Sequence, residues 1–278
     1  MPYIRLLNTG KSRVIKDVAF CTLLEGQLPS AQKSFSSLFT AFDAEVKKTD
    51  KRITTGAMSN VHGDWYEWLL AISAWNHFCN NPNSHLAILL PNITQFDVST
   101  LYEQRLSSLI VDLKNKVSEV SGVQLITSNP DFVIINRELA QEILKGVAEI
   151  KELTPEILGF LRSVYQNFIS KCTFEQIEGF ISVKTSLRPD RRLQISHEGS
   201  LLKALYAHLQ TREWITSPKG LKYFALATKI SKADRNALKT VATHSLTTVF
   251  SLPQAAVDEV FEVNTLQQAD LAFSSILS

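Results

Sequence analysis

Apolar positions along the chain follow two periods. In residues 31–49, Phe35, Leu38, Phe39 and Phe42 recur at helical spacing, and the segment ends in Lys47 and Lys48. That pattern predicts an amphipathic helix with cations at the negative end of its macrodipole. Residues 63–79 (GDWYEWLLAISAWNHFC) are apolar almost all round and predict a buried helix with Asp64 near its start. Residues 99–120 place Leu101, Leu106, Leu109, Ile110, Leu113 and Val117 on one face, with Ser99 positioned to cap the helix. Residues 137–171 read as helix in two pieces broken near Pro155, residues 193–210 as a helix, and residues 231–245 and 253–275 as mostly helical.

Short aliphatic runs have the length of buried strands. They are HLAILLP (85–91), stopped by Pro91, then VQLIT (123–127), FVII (132–135), GFISVKT (179–185) and LKYFALAT (221–228). Strands interleaved with helices predict an α/β fold, a mixed central sheet flanked by helices. The first 60 or so residues read as an all-helical lobe beside a core at 61–278. No Gly/Pro/Ser-rich linker separates the two, so a single domain over 1–278 is expected.

Composition narrows the class. The chain has 278 residues, 45% of them hydrophobic, enough for a sizeable core. No apolar run approaches the roughly 20 residues of a membrane span, and no apolar leader opens the chain, so an intracellular, cytoplasmic protein with no membrane partner is expected. Cys21, Cys79 and Cys172 lack zinc-ligand or redox spacing and are expected as reduced core thiols. The net charge of +2 is uninformative, but six basic residues face two acids between Lys184 and Arg212. Such an excess suits a phosphate backbone, or equally a solvated charged face.

The chemistry-bearing residues point the same way. Phosphodiester hydrolysis needs carboxylates to hold Mg²⁺, an oriented water and a cation against the developing charge. Asp131 follows Pro130 at the start of one short strand, and Lys184 ends another. This is a Pro-Asp…X-Lys arrangement, whose usual form carries an acid two residues before the lysine. Here that position is Ser182. Glu198, on the helix after Lys184, is the first candidate for the missing acid, and Glu67, on the apolar helix, the second. Each residue also has a plainer use: a turn aspartate, a surface glutamate, an acid near a helix N-terminus. Arg188, Asp190 and Arg191 stand just before a helix, where arginines can hold guanine edges and an aspartate can accept from cytosine; an exposed salt-bridge cluster is the alternative. His197 lacks a second histidine at metal spacing, His62 and His77 flank the aromatic helix without evident partners, and no Gly-rich phosphate loop is present.

Longer blocks carry a resemblance. GDWYEWLLAI (63–72), PNITQFDV (91–98), LITSNPDFVII (125–135), the run from Ser182 to Arg212, LKTVATHS (238–245) and LPQAAVDEVF (252–261) closely resemble the type II restriction endonucleases that recognise purine-CCGG-pyrimidine. The resemblance implies a PD-(D/E)XK fold and Mg²⁺-dependent cleavage of double-stranded DNA after the purine (R/CCGGY), leaving 5′-phosphate ends with overhangs spanning the core. It implies Asp131, Glu198 and Glu67 as metal ligands, Lys184 as the catalytic lysine, and Arg188, Asp190 and Arg191 as readers of CCGG. Asn60 is placed to touch the outer base pair. Arg212 and Trp214 match a tetramer contact, which implies a homodimer assembled into a homotetramer; core packing is the other reading of Trp214. The resemblance also implies a prokaryotic cell with a cognate DNA methyltransferase. A catalytically inactive DNA-binding protein and a structure-selective repair nuclease are the competing readings.

Overall fold

The computed structural model of the chain describes residues 3–6, 12–92, 96–125, 129–246 and 253–278. An antiparallel ribbon, β1 (Ile4–Leu6) with β2 (Ser12–Val14), comes first. Helices α1 (Lys16–Leu23), α2 (Phe35–Thr49) and α3 (Thr55–Asn80) follow. Then come β3 (Leu86–Leu89), α4 (Gln104–Ser121), β4 (Phe132–Ile135), α5 (Arg137–Ile143) and α6 (Pro155–Ser163). The remainder is β5 (Ile177–Lys184), α7 (Pro189–Arg212), β6 (Lys222–Ala227), α8 (Lys232–Leu238), β7 (Glu259–Glu262) and α9 (Leu266–Ile276).

Among the described residues the main sheet runs in the order β3-β4-β5-β6-β7. Its first two pairings are antiparallel and its last two parallel. Parallel neighbours need a long crossover, and α7 and α8 supply it from β5 to β6 and from β6 to β7. The expected mixed sheet flanked by helices is therefore present. Helix α3 packs on β3, α9 and α1. Its Trp65, Tyr66, Trp68, Leu69, Leu70 and Trp75 are buried, as a helix apolar on all sides requires. Trp65 meets Phe42 edge-on at 5.0 Å between ring centroids, which ties α2 into the same core.

Several expectations need correction. The first 60 residues are not all helical, because the ribbon of three-residue strands is too short to show a period. Helix α3 begins at Thr55, whose neighbour Thr54 caps it, so Asp64 lies well inside the helix rather than near its start. Ser99 sits in a short 3₁₀ turn (Val98–Leu101) capped by Asp97, and α4 starts later, at Gln104. Residues 123–125 form no strand, and residues 126 and 127 of that run lie outside the described residues; β4 is already flanked by β3 and β5 and offers no edge. Within 253–275 the strand β7 precedes α9; only Val260 of its four residues is buried, so its apolar signal is weak. Parts of the resemblance blocks, residues 93–95, 126–128 and 252, also lie outside the described residues.

Candidate active site

The β4–β5 pairing builds the centre of the site. Phe132 stands opposite Ile181, so Asp131, one residue before β4, falls beside Ser182. Its Oδ2 accepts from the Val183 N–H at 2.5 Å, Lys184 Nζ at 2.9 Å and Ser182 Oγ at 3.3 Å. The main chain of Asp131 is fixed as well, because its carbonyl accepts from the Leu90 N–H. Burial pushes the pKa of the Lys184 ammonium down, but the charge and hydrogen bond of Asp131, with Glu198 and Glu67 nearby, outweigh that and leave it raised. Lys184 is therefore a fixed cation at the end of a buried strand.

Glu67 faces this pair from α3. Burial, then the negative charges of Asp131 and Asp64, push its carboxyl up to about 8, against the opposing pull of Lys184 and Lys16. Glu67, Asp131 and Lys184 line one cleft of about 400 Å³, with Lys16, Asn60 and Arg191 on its walls. Lys16 Nζ is hydrogen-bonded to Asp64 across the cleft wall. Sequence reasoning missed Lys16, which lies far from every motif; the Trp65 indole donates to its carbonyl at 2.9 Å and holds its backbone against α3.

Glu198 is placed differently. It is 2% exposed, does not line the cleft, and accepts from the Tyr223 hydroxyl at 2.8 Å. It still acts on Lys184 through its charge. Two features of α7 let it come this close to the sheet. Gly199 packs so tightly that a Cβ there would lie 2.3 Å from the Ala256 carbonyl oxygen and 2.9 Å from the Tyr223 ring. Lys203, 3% exposed, donates to the Ala255 carbonyl at 2.7 Å and pairs with Asp258 at 2.7 Å. Tyr223 was also missed by sequence reasoning, although a tyrosine in a buried strand signals a hydroxyl that needs a partner.

The arginines divide by role at the start of α7. Arg188 occupies the N-cap position in extended conformation, before Pro189, and pairs with Asp190 at 3.1 Å. Both side chains are about two-thirds exposed (64% and 65%), so neither is tied into the core. Arg191 enters the cleft wall and donates to the Ser186 carbonyl at 3.2 Å. Arg192 instead pairs with Asp234 at 3.0 Å and links α7 to α8. Asn60, on α3, is exposed at the cleft.

Outside the cleft, Trp214 is 89% exposed with a positive φ of 56°, which overturns the core-packing reading. Arg212 pairs with Asp112 of α4 at 3.2 Å. His62 has a partner after all, Asp43 at 2.7 Å, and stacks on Phe39, a structural role. His197 is exposed on α7.

The donor set suits a hard divalent cation. Asp131 and Glu67 offer carboxylate oxygens from two walls of one cleft, and the Glu67 carboxyl is raised first by burial and then by the negative charge of Asp131 and Asp64. Among the described residues no three His, Cys, Asp or Glu side chains are gathered closely enough to hold a metal alone. Mg²⁺ tolerates this, because it keeps several waters and takes only one or two carboxylates.

Fold and site together define an endonuclease acting on DNA, and comparison with known proteins gives its kind. A model of the Cfr10I/Bse634I restriction endonuclease family matches residues 8–278. The type II restriction enzyme Cfr10I of Citrobacter freundii is 43% identical over 265 residues, covering 94% of this chain and 92% of that one. The structure of the Bse634I restriction endonuclease superposes with a TM-score of 0.88 at 32% identity, covering 98% of this chain and 96% of that chain. The type IIF enzyme Bse634I crystallised with cognate DNA superposes equally well, at 0.88 and 32%. The chain belongs to the Cfr10I/Bse634I restriction endonuclease family, whose members cleave DNA at specific sites. Enzymes of this kind generally depend on a metal. No helix among the described residues is long and apolar enough to cross a membrane.

Proposed function

We propose that the enzyme cleaves double-stranded DNA at purine-CCGG-pyrimidine, after the purine, with Mg²⁺ held by Asp131 and Glu67 in the cleft and Glu198 supporting Lys184 by its charge from outside it. The observation that carries this reading is the Asp131–Lys184 contact at 2.9 Å in a cleft shared with Glu67 and Arg191. A bound Mg²⁺ supplies Lewis-acid stabilisation and makes a water more acidic. The chain's own groups do the rest. Lys184, fixed by Asp131, donates to the scissile phosphate and offsets charge that develops on it. The backbone of β5 holds Asp131 through the Val183 N–H, so the carboxylate keeps one orientation. Tyr223 fixes Glu198 from behind in the same way.

Arg188, Asp190 and Arg191 read the CCGG core at the mouth of the cleft, and Asn60 touches the outer pair. Arginine forks on guanine O6 and N7, with aspartate accepting from cytosine N4, are the contacts that distinguish these bases. A palindromic site calls for a two-fold dimer. Two dimers then join through Trp214 and Arg212, a reading supported by the exposed indole and by exposed Val111 and Val120 on nearby α4. The enzyme works in a bacterial cytoplasm beside a methyltransferase that protects the host's own sites.

The test is digestion of phage DNA with Mg²⁺, followed by sequencing of the ends. Discrete fragments beginning CCGG are expected, and Lys184→Ala should bind the same duplex without cutting it. Scattered ends, or full activity of the alanine variant, would remove the assignment.

A further inference from the structure

A second basic surface adjoins the active-site cleft. The β1–β2 register sets Arg5 directly opposite Arg13, so the two side chains share one face of the ribbon. Like charges placed in this way repel, which is destabilising unless an anion lies between them. Among the described residues neither arginine is in an ion pair, and both are exposed. They line a concavity of about 380 Å³ with Lys16, Asp17, Asp64 and Arg162. Its two acids are already engaged, Asp17 with Arg162 at 3.2 Å and Asp64 with Lys16. Two positive charges are left over, those of Arg5 and Arg13.

Position gives this excess a use. Lys16 and Asp64 belong to both the ribbon concavity and the active-site cleft, so the two hollows form one continuous surface. A strand that has its scissile phosphate at Asp131 and Lys184 and follows this shared surface passes Lys16 toward the ribbon. Phosphates recur about every 3.4 Å of helix axis along each strand, so a strand crossing both hollows presents several of them. The ribbon is also held in place beforehand. Tyr3 and Val14 are buried, the Ile15 N–H donates to the Tyr3 carbonyl at 2.8 Å, and Ser12 is hydrogen-bonded to Asp50.

We propose that Arg5 and Arg13 form a phosphate clamp that grips duplex DNA outside the recognised bases. The clamp rests on the DNA-cleaving reading of the adjacent cleft, but it holds the backbone and carries no sequence preference.

The experiment compares two duplexes with a purine-CCGG-pyrimidine site, one trimmed to the site and one a full helical turn longer on each side. Affinities are measured by fluorescence anisotropy over a range of KCl without divalent metal. The unmodified enzyme should prefer the longer duplex. In R5A/R13A that preference should collapse, and the salt dependence on the longer duplex should become shallower by about 1.8 per protomer, roughly 0.9 for each phosphate that is no longer neutralised. R5K/R13K, which keeps the charge, should retain most of both. An R5A/R13A variant that keeps the long-duplex preference and the full salt slope overturns the clamp. The cleavage reading fails separately, if the unmodified enzyme leaves purine-CCGG-pyrimidine sites uncut in Mg²⁺.

Discussion

Metal binding to the free enzyme should release a proton, and Glu67 is its source. In the metal-free site burial and the charges of Asp131 and Asp64 hold the Glu67 carboxyl at about 8. At pH 7 such a group is about nine-tenths protonated, and a cation that needs its carboxylate must displace the proton. Close to one proton should therefore leave per metal at pH 7. The apparent Mg²⁺ affinity should fall about fiftyfold from pH 8 to pH 6 and level off above pH 8. Isothermal titration of the free enzyme in two buffers of different ionisation enthalpy measures the release. Glu67→Gln should bind Mg²⁺ more weakly and show no buffer dependence. The same displacement has a stability consequence. A carboxyl raised in the folded state contributes stability that is complete below its unfolded value, near 4.5, and lost as pH rises through about 8. At about 1.4 kcal/mol per pKa unit the upper bound is on the order of 4–5 kcal/mol. Metal-free Glu67→Gln should gain thermal stability over the parent as pH rises from 5 toward 9. Buffer-independent enthalpies with equal affinities at both ends of the range would refute the reasoning.

Three further outcomes follow from the geometry. Tyr223→Phe removes the donor to the buried Glu198 carboxylate; urea denaturation should show a loss of about 1.5–3 kcal/mol, and kcat should drop more than KM changes. Gly199→Ala forces a Cβ to within 2.3 Å of the Ala256 carbonyl, so α7 must shift; a cost of about 3 kcal/mol or more and loss of cleavage are expected, whereas Gly63→Ala, with nothing within 4 Å, should be tolerated. Trp214→Ala changes a side chain that is 89% exposed, so the melting temperature should hold while sedimentation velocity shows a smaller assembly.

The sequence disclosed more of this site than its spacing alone would suggest. Asp131 and Lys184 were legible because each sits at the end of a short apolar run, and strand ends in register bring such residues together. Glu67 was legible as an acid on a helix otherwise apolar all round. Its altered proton affinity was not, because that depends first on burial in the folded protein and then on Asp131, Asp64, Lys184 and Lys16, most of them distant in sequence. Glu198 was found by position after Lys184, but its burial against Tyr223 depends on the docking of α7 over β6, a tertiary event. The ribbon and β7 escaped because three or four residues with at most one buried side chain hold no readable period.

The site also shows what moving an acid from strand to helix entails. Ser182 is 1% exposed, and its hydroxyl donates to the same Asp131 oxygen that Lys184 holds. A carboxylate in its place would put a second anion against Asp131 in a buried setting, where like charges are most costly. A hydroxyl there supplies a donor instead. Glu198 contributes its charge to Lys184 after Asp131, with Glu67 adding to it. The arrangement has a packing requirement, since an acid carried on a helix reaches the strand only if the helix lies almost on the sheet. Gly199 meets that requirement by lacking a Cβ, and the Tyr223 hydroxyl donates to one oxygen of the carboxylate that the close approach buries. Gly199 and Tyr223 thus form one unit with the glutamate, and substitution at either should be felt first in the orientation of Glu198, whereas Ser182 acts on Asp131.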